Sequence, residues 1–206
     1  MPRSTLRRAL CAGGLCLTAT TTAAVTPAVA DAERISLGGK RMNIHGGSNV
    51  TVKGRAAAPA TVKLEIRRRG HWVTLDRDRT NAAGRFVLRR RVHGPLSAPA
   101  RVRSSTGARR SLGRLNVYRH ALASWYGPGL FGNRLGCGGT LMTHTLGVAH
   151  KALPCGTKVT LRHRGRIVRV RVIDRGPYVG AREYDLTAAT ARRLGFTGHG
   201  PIQVTR

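Results

Sequence analysis

The first half of the chain alternates hydrophobic and polar residues in short stretches. Val62, Leu64 and Ile66 alternate with charged residues, which is the period-two pattern of a strand with one buried face. Turn signals follow at Gly70 and at 81–84. Further strands are predicted at 72–75, 86–88, around 102 and at 115–118. Short strands with closely spaced turns predict a small immunoglobulin-like β-sandwich over residues 48–118.

In the segment 121–206, glycine and proline residues are more closely spaced and the pattern of hydrophobic and polar residues changes. Strands are predicted from 159 to 161, from 167 to 172 and from 202 to 204. One helix is predicted at 187–194, because Thr187 is a good N-cap and Gly195 stands where a glycine ends a helix. The whole chain is therefore predicted to be all-β, and this segment is predicted to be a compact β-barrel with one short helix.

The N-terminal thirty residues have the order of a secretory signal peptide. A basic start precedes an apolar run at 9–25, and Ala-Val-Ala at 28–30 supplies a small-residue cleavage site. The apolar run is too short and too rich in small residues for a membrane anchor, and no later stretch is apolar enough to span. The sequence therefore predicts a signal peptide at 1–30, an irregular lead-in at 31–47 and a secreted protein.

Two cysteines follow the predicted cleavage site, Cys137 and Cys155. A lone pair in an oxidising compartment is usually a disulfide, so we expect these two residues to be bonded. A zinc site is the alternative, because His144 and His150 lie between the cysteines. The spacings do not resemble the close ligand pairs of known zinc modules. We therefore expect a disulfide, no metal and no cofactor.

The net charge is +29, which indicates polyanionic surroundings. A strong excess of arginine over lysine is also what high-GC coding alone produces. Nucleic acid is one candidate partner, but there are only nine aromatic residues and no nucleic-acid motif. Anionic wall polymers and peptidoglycan carboxylates are the candidates that export favours. A cationic antimicrobial or nucleic-acid-binding protein stays open as a third class of function.

The predicted barrel contains three carboxylates, Asp174, Glu183 and Asp185. Any acid catalysis in this domain depends on them. Each also has a structural explanation: Asp185 precedes the helix, where a negative charge offsets the helix dipole. Asp174 enters a Gly-Pro turn and stands beside Arg175. Composition alone does not decide between the catalytic and structural interpretations.

Four segments in order resemble the successive motifs of the rare lipoprotein A (RlpA) double-psi β-barrel. They are Ala-Ser-Trp-Tyr-Gly at 123–127, Val-Ala-His-Lys-Ala-Leu-Pro-Cys-Gly-Thr at 148–157, Val-Ile-Asp-Arg-Gly-Pro-Tyr at 172–178 and Tyr-Asp-Leu-Thr at 184–187. The resemblance implies a six-stranded double-psi β-barrel over 121–206. The sandwich resembles the immunoglobulin-like domains of exported actinobacterial wall proteins, which suggests a spacer or adaptor.

The resemblance also implies a lytic transglycosylase that cleaves peptide-poor peptidoglycan glycan in the cell wall. The implied groove is lined by Trp125, Tyr126, His150, Asp174 and Asp185. Asp174 is expected to protonate the leaving oxygen, and Asp185 is expected to raise its pKa by like-charge repulsion. His150 is expected to position a sugar hydroxyl or to orient Asp174, with structural burial as the alternative.

Substrate contacts are also expected from Arg175 and Tyr178, and from Trp125 and Tyr126, for which core packing is the alternative. One departure weakens the catalytic expectation. Catalytic RlpA proteins carry an acid before the His-Lys motif, and backward alignment from His150 places Gly139 there. A non-catalytic, expansin-like module that binds or loosens peptidoglycan is therefore the second hypothesis, and the oligomeric state is left open.

Overall fold

The computed structural model describes residues 34–206, and the predicted signal peptide at 1–30 lies outside them. Thirteen strands and one helix occupy the described residues, which confirms the all-β prediction. The strands are β1 (Ser36–Arg41), β2 (Asn43–His45), β3 (Ser48–Arg55), β4 (Thr61–Arg68), β5 (His71–Arg79), β6 (Arg85–Val92), β7 (Leu96–Ser104), β8 (Arg109–Tyr126), β9 (Val148–His150), β10 (Lys158–His163), β11 (Arg166–Asp174), β12 (Tyr184–Thr187) and β13 (Gly200–Val204). The helix α1 is Ala188–Leu194. No helix of residues 34–206 is both long and apolar enough to cross a bilayer.

The N-terminal unit is a sandwich of two sheets. One sheet has the order β1-β3-β6, and the other has the order β5-β4-β7-β8 with β2 added in parallel to β8. The alternating residues Val62, Leu64 and Ile66 all point into the core between the sheets. This division of strands between two sheets is the immunoglobulin-type arrangement, so the predicted sandwich is confirmed.

The segment 31–47 was predicted to be irregular, and this prediction is wrong. Strands β1 and β2 lie within it, and Ile35, Met42 and Ile44 are buried in the sandwich core. The strand pattern is hidden because the β1–β3 register shifts between Leu37 and Gly39, which breaks the period-two alternation. The apolar residues are also few and widely spaced. The sandwich therefore begins before the predicted start at residue 48.

Six strands close the C-terminal unit into a barrel. The order is β12-β9-β11-β10-β13-β8, and pairing of β12 with β8 completes the ring. Strand β8 belongs to both units: its residues to Tyr118 pair with β2 and β7, and those from Arg119 pair with β13 and β12. The units therefore share one continuous strand, and the residue range between the two predicted domains lies inside it.

The helix has the ends that the sequence predicts. Thr187 is the N-cap, and its hydroxyl accepts from the N–H of Thr190. Gly195 is the C-cap with φ of 63°, a left-handed conformation that favours glycine. Thr190 also accepts from the N–H of Gly147 and donates to its carbonyl, at 2.9 Å in each case. The helix is thereby tied to the loop that leads into β9.

Replacing Thr190 with valine is expected to destabilise the barrel by about 1–3 kcal/mol. Valine has nearly the same shape, but it leaves the buried N–H of Gly147 without its partner, and such a group costs about 1–3 kcal/mol. The carbonyl of Gly147 keeps a hydrogen bond from the N–H of Thr187 at 3.2 Å. Urea unfolding measures the loss. Thr190→Ser keeps the hydroxyl and is the matched control, so equal destabilisation by both variants would contradict the role of the hydroxyl.

Candidate functional site

Four residues on neighbouring barrel strands form a row across the sheet. Asp174 at the end of β11 pairs with Ala149 of β9, Ala149 pairs with Asp185 of β12, and Asp185 pairs with Ser124 of β8. Paired residues share a face of the sheet, and so does a residue two positions along a strand. Tyr126 therefore lies on the same face as the two aspartates. The structure brings together three of the five residues expected in the groove.

Asp174 is held by backbone donors. Its Oδ1 accepts from the N–H of Gly136 at 2.7 Å and from that of Arg175 at 2.8 Å. The loop approaches so closely that a Cβ at position 136 would lie 3.0 Å from Oδ1. Asp174 also lines a cleft of about 170 Å³ with Tyr126, Leu130, Asn133, Arg134, Leu135 and Leu141. The carboxyl is therefore fixed in orientation and open to a small cleft.

Asp185 is half-buried, as is Asp174. Burial raises the pKa of Asp185. A hydrogen bond from the Ser124 hydroxyl (2.9 Å) and the positive charge of Arg182 lower this pKa, and the negative charge of Asp174 raises it. Arg182 also donates to the Ser124 hydroxyl at 2.9 Å. The raised pKa is therefore that of Asp185, the residue to which the sequence assigns the supporting role. Ser124, Gly136 and Arg182 are contacts of the two aspartates that the sequence does not predict.

The Tyr126 hydroxyl completes this group. It is buried and has no hydrogen-bond partner of good geometry within residues 34–206. Burial raises the pKa of the phenol most, and the charge of Asp174, a contact of the hydroxyl with the Asp174 carboxyl and the charge of Asp185 raise it further. The hydroxyl therefore keeps its proton at all physiological pH values and can donate it in a hydrogen bond at the cleft.

Asp185→Asn is expected to stabilise the protein at neutral pH. The folded-state pKa of Asp185 is raised from 3.8, so the folded state binds a proton more tightly than the unfolded state. Wild-type stability from this group is therefore present below pH 3.8 and is lost as pH rises through the folded pKa. Urea unfolding of both proteins across pH tests this. A stability difference that does not grow from acid to neutral pH would contradict it.

His150 lies on the other face of the sheet. It pairs with the buried Tyr184, and the two rings are 4.8 Å apart in an edge-to-face arrangement. Its Nδ1 accepts from the N–H groups of Ala152 and Leu153 at 3.1 and 3.0 Å. Burial lowers its pKa, and nearby arginines add to this while the charge of Glu183 opposes it. His150 therefore organises its own loop, and its hydrogen bonds do not reach Asp174.

Arg175 and Tyr178 were expected to contact substrate. The guanidinium of Arg175 donates to the carbonyls of His150 and Leu153 and to the sulfur of Cys155. Arg175 therefore fastens the 150–155 loop to the end of β11. Tyr178 is 76% exposed in the loop between β11 and β12. Its ring is accessible from solvent but belongs to no part of the cleft described above.

Trp125 lies apart from the aspartates. It follows Ser124 on β8 and so points to the opposite face. There it lines a separate apolar pocket of about 450 Å³ beside α1. The other lining residues are Pro128, Phe131, Thr143, Ala188, Ala191, Arg192, Gly195, Phe196 and Thr197. The expected single groove is therefore divided between two faces of β8.

The predicted disulfide joins Cys137 to Cys155. Because both sulfurs are in this bond, they cannot serve as zinc ligands. No group of three or more metal-ligating side chains occurs within residues 34–206. The bond fastens the loop containing Gly136 to the loop containing His150. Gly139 lies in the same loop with φ of 82°, and no other atom is within 4 Å of where its Cβ would be.

Residues 119–206 match a double-psi β-barrel family model described as lytic transglycolase. A probable endolytic peptidoglycan transglycosylase RlpA of Synechocystis is 46% identical over 81 residues, which are 38% of this chain and 25% of that protein. The endolytic peptidoglycan transglycosylase RlpA of Campylobacter jejuni is 42% identical over 85 residues, 40% of this chain and 31% of that protein. Among solved structures, the Streptomyces papain inhibitor covers 43% of this chain and 94% of its own, with TM-score 0.33 and 20% identity.

The closed six-stranded ring and the family match define a double-psi β-barrel. The C-terminal domain of this chain is an RlpA-like double-psi β-barrel domain, as predicted. The chain spans between a quarter and a third of the length of the Synechocystis and Campylobacter relatives.

Proposed function

We propose that the barrel is a peptidoglycan lytic transglycosylase that cleaves peptide-poor glycan strands. The observation that carries the proposal is the Asp174 carboxyl, which is oriented by two backbone N–H groups at the edge of a cleft. The similarity of residues 119–206 to proteins named endolytic peptidoglycan transglycosylases supports the same activity.

One carboxyl group is enough for this reaction. Asp174 gives its proton to the glycosidic oxygen as the bond from that oxygen to the anomeric carbon breaks. The C6 hydroxyl of the same sugar then attacks the anomeric carbon, and the Asp174 carboxylate takes up the hydroxyl proton. The product ends in a 1,6-anhydro sugar, and Asp174 is again protonated. Ordinary glycosidases need a second carboxyl group because they activate water or form a covalent intermediate.

The surrounding residues support Asp174 in the proposed reaction. Asp185 stands one strand beyond Ala149, on the same face of the sheet as Asp174. Tyr126 has a buried hydroxyl beside the Asp174 carboxyl, and this hydroxyl can donate to the carboxylate or to the substrate. His150 and Arg175 are assigned positioning roles, because both hold the 150–155 loop beside the end of β11. Tyr178 is assigned a peripheral contact with the glycan.

A non-catalytic wall-binding function is the second candidate, and Gly139 favours it. The segment 135–146 has no carboxylate at all, so the cleft lacks the loop acid expected of catalytic relatives. In that case the same cleft binds glycan without cleaving it. We also propose that the protein is exported and acts at the cell wall, where its strong positive charge (+29 over the whole chain, signal peptide included) favours binding to anionic polymers.

Incubation of the purified protein, starting at Asp31, with peptidoglycan stripped of stem peptides separates the two functions. Soluble products that accumulate in proportion to protein dose support the transglycosylase. Unstripped peptidoglycan is the matched substrate control, because a preference for peptide-poor strands predicts slower release from it. Protein that sediments with the stripped wall and releases no products supports the binding module and contradicts catalysis.

A further inference from the structure

The outward face of the larger sandwich sheet carries a row of four cationic side chains. Arg77 of β5 pairs with Lys63 of β4, Lys63 pairs with Arg103 of β7, and Arg103 pairs with Arg109 of β8. Directly paired residues have Cβ atoms about 5 Å apart, and like charges in such pairs are destabilising. The free protein therefore places four positive charges side by side at a cost in stability.

Within residues 34–206, no acid forms a salt bridge with this row. The two salt bridges within residues 34–206 involve other cations, Arg101 and Arg119. Asp76 and Asp78 flank Arg77 in sequence, but alternation along β5 directs them to the opposite face. There they accept hydrogen bonds from the N–H groups of β6, at 2.6 Å from Arg89 and 2.8 Å from Val87. The acids nearest to Arg77 in sequence therefore accept hydrogen bonds from backbone N–H groups of β6 and do not contact the cationic row.

In the neighbouring row of the same sheet, the cation has an acid as its partner. Two residues along, Glu65 of β4 pairs with Arg101 of β7 and forms a salt bridge of 2.7 Å. That row has a buried carboxylate beside its cation, whereas the row through Lys63 has none. Cations also pair directly with cations elsewhere in residues 34–206, Arg55 with Arg85 and Lys158 with Arg171. The row through Lys63 differs in its length, because it has four cations side by side.

The unneutralised row forms part of a concave site. A pocket of about 370 Å³ is lined by Thr61, Lys63, Arg77, Arg103, Ser104 and Ser105. We call these six residues the basic cleft. Its lining combines three cations with three hydroxyl groups and contains neither a carboxylate nor an aromatic ring. Cationic N–H groups and hydroxyls are the donors that bind the oxygens of a phosphate group.

We propose that the basic cleft binds phosphate groups of a phosphodiester polymer of the cell wall and thereby anchors the sandwich domain to it. Binding supplies the negative charge that the row lacks. A nucleic acid fits less well, because the cleft has no aromatic surface on which bases could stack. The nearby Trp72 ring is covered by the Arg101 guanidinium, whose Cζ is 3.9 Å from the ring centroid. This site is separate from the barrel and adds an anchoring function to the proposed cleavage.

Fluorescence anisotropy with an end-labelled synthetic poly(glycerol phosphate) tests the site over a range of salt concentrations. The double variant Lys63→Gln, Arg103→Gln is expected to bind about tenfold more weakly or worse, because it loses two charge-assisted contacts. The slope of log K against log salt is expected to fall by about two, one for each phosphate contact. The matched control is Lys53→Gln, Arg55→Gln, which removes the same charge from β3 of the other sheet.

Equal weakening by both double variants would show that binding follows total charge, and no weakening by either would show that the cleft is not used. Both results overturn the proposal. Tighter binding of a single-stranded oligonucleotide through Lys63 and Arg103 would also overturn it in favour of nucleic acid.

Thermal unfolding checks the fold: the cleft variant is expected to be at least as stable as wild type, and inorganic phosphate is expected to stabilise wild type more than the variant. None of these assays contains peptidoglycan, so their outcome is independent of the proposed cleavage.

Discussion

Asp174→Asn is expected to lower the rate of anhydro-product release by roughly a hundredfold to ten-thousandfold, the usual contribution of a general acid–base group. Asparagine keeps an Oδ1 that accepts from the N–H groups of Gly136 and Arg175, so the cleft retains its shape. It cannot give a proton to the glycosidic oxygen. Initial rates measured by liquid chromatography, with sedimentation on the wall measured in parallel, separate lost chemistry from lost binding.

Glu183→Gln is the matched control for this loss of activity. Glu183 is the third barrel carboxylate, and its Oε2 is 2.6 Å from Arg119 in a partly exposed salt bridge. Partly exposed ion pairs contribute little to stability, and this one does not line the cleft, so the rate is expected to stay near that of wild type. Cleavage by Asp174→Asn at the wild-type rate would show that Asp174 is not the acid.

Removing the disulfide with Cys137→Ser and Cys155→Ser is expected to destabilise the barrel by about 3 kcal/mol. The bond closes a loop with a sequence separation of 18 residues, so its loss gives the unfolded chain more freedom. Because the same loop supplies the Gly136 N–H to Asp174, cleavage is expected to slow as well. Urea unfolding measures the stability, and the product assay measures the rate.

A reducing agent provides the control for the cysteine variant. Reduction is expected to lower the stability of wild type to that of the variant and to leave the variant unchanged. Stability of the wild-type protein that is unaffected by complete reduction, confirmed by thiol titration, would contradict the stabilising role of the bond.

Local sequence patterns predicted the regular elements well. The alternation at 62–66 identified β4, and the capping residues Thr187 and Gly195 identified α1 to within a residue. The strands of 31–47 were missed because a glycine-rich bulge breaks the alternation on which the prediction depends. The continuous strand β8 was also missed, since nothing local marks where one strand changes its pairing partners.

Motif resemblance identified the residues of the site but not the faces on which they lie. Trp125 and Tyr126 are consecutive on β8, and Ala149 and His150 are consecutive on β9. Consecutive strand residues point to opposite faces, so the five expected groove residues could not all line one cleft. This signal was present in the sequence. The hydrogen bonds of Arg175 to the 150–155 loop depend on tertiary folding, and no local pattern announces them.

The most direct test of the proposed activity is mass spectrometry of products from stripped peptidoglycan digested in water enriched in heavy oxygen. The sugar's own C6 hydroxyl completes the proposed reaction, so solvent oxygen does not enter the product. We predict 1,6-anhydro ends without the heavy isotope, at a rate that depends on Asp174. Reducing ends that carry the heavy isotope would show hydrolysis, and the absence of any soluble product would show a barrel that binds glycan without cutting it. Either result would contradict the account.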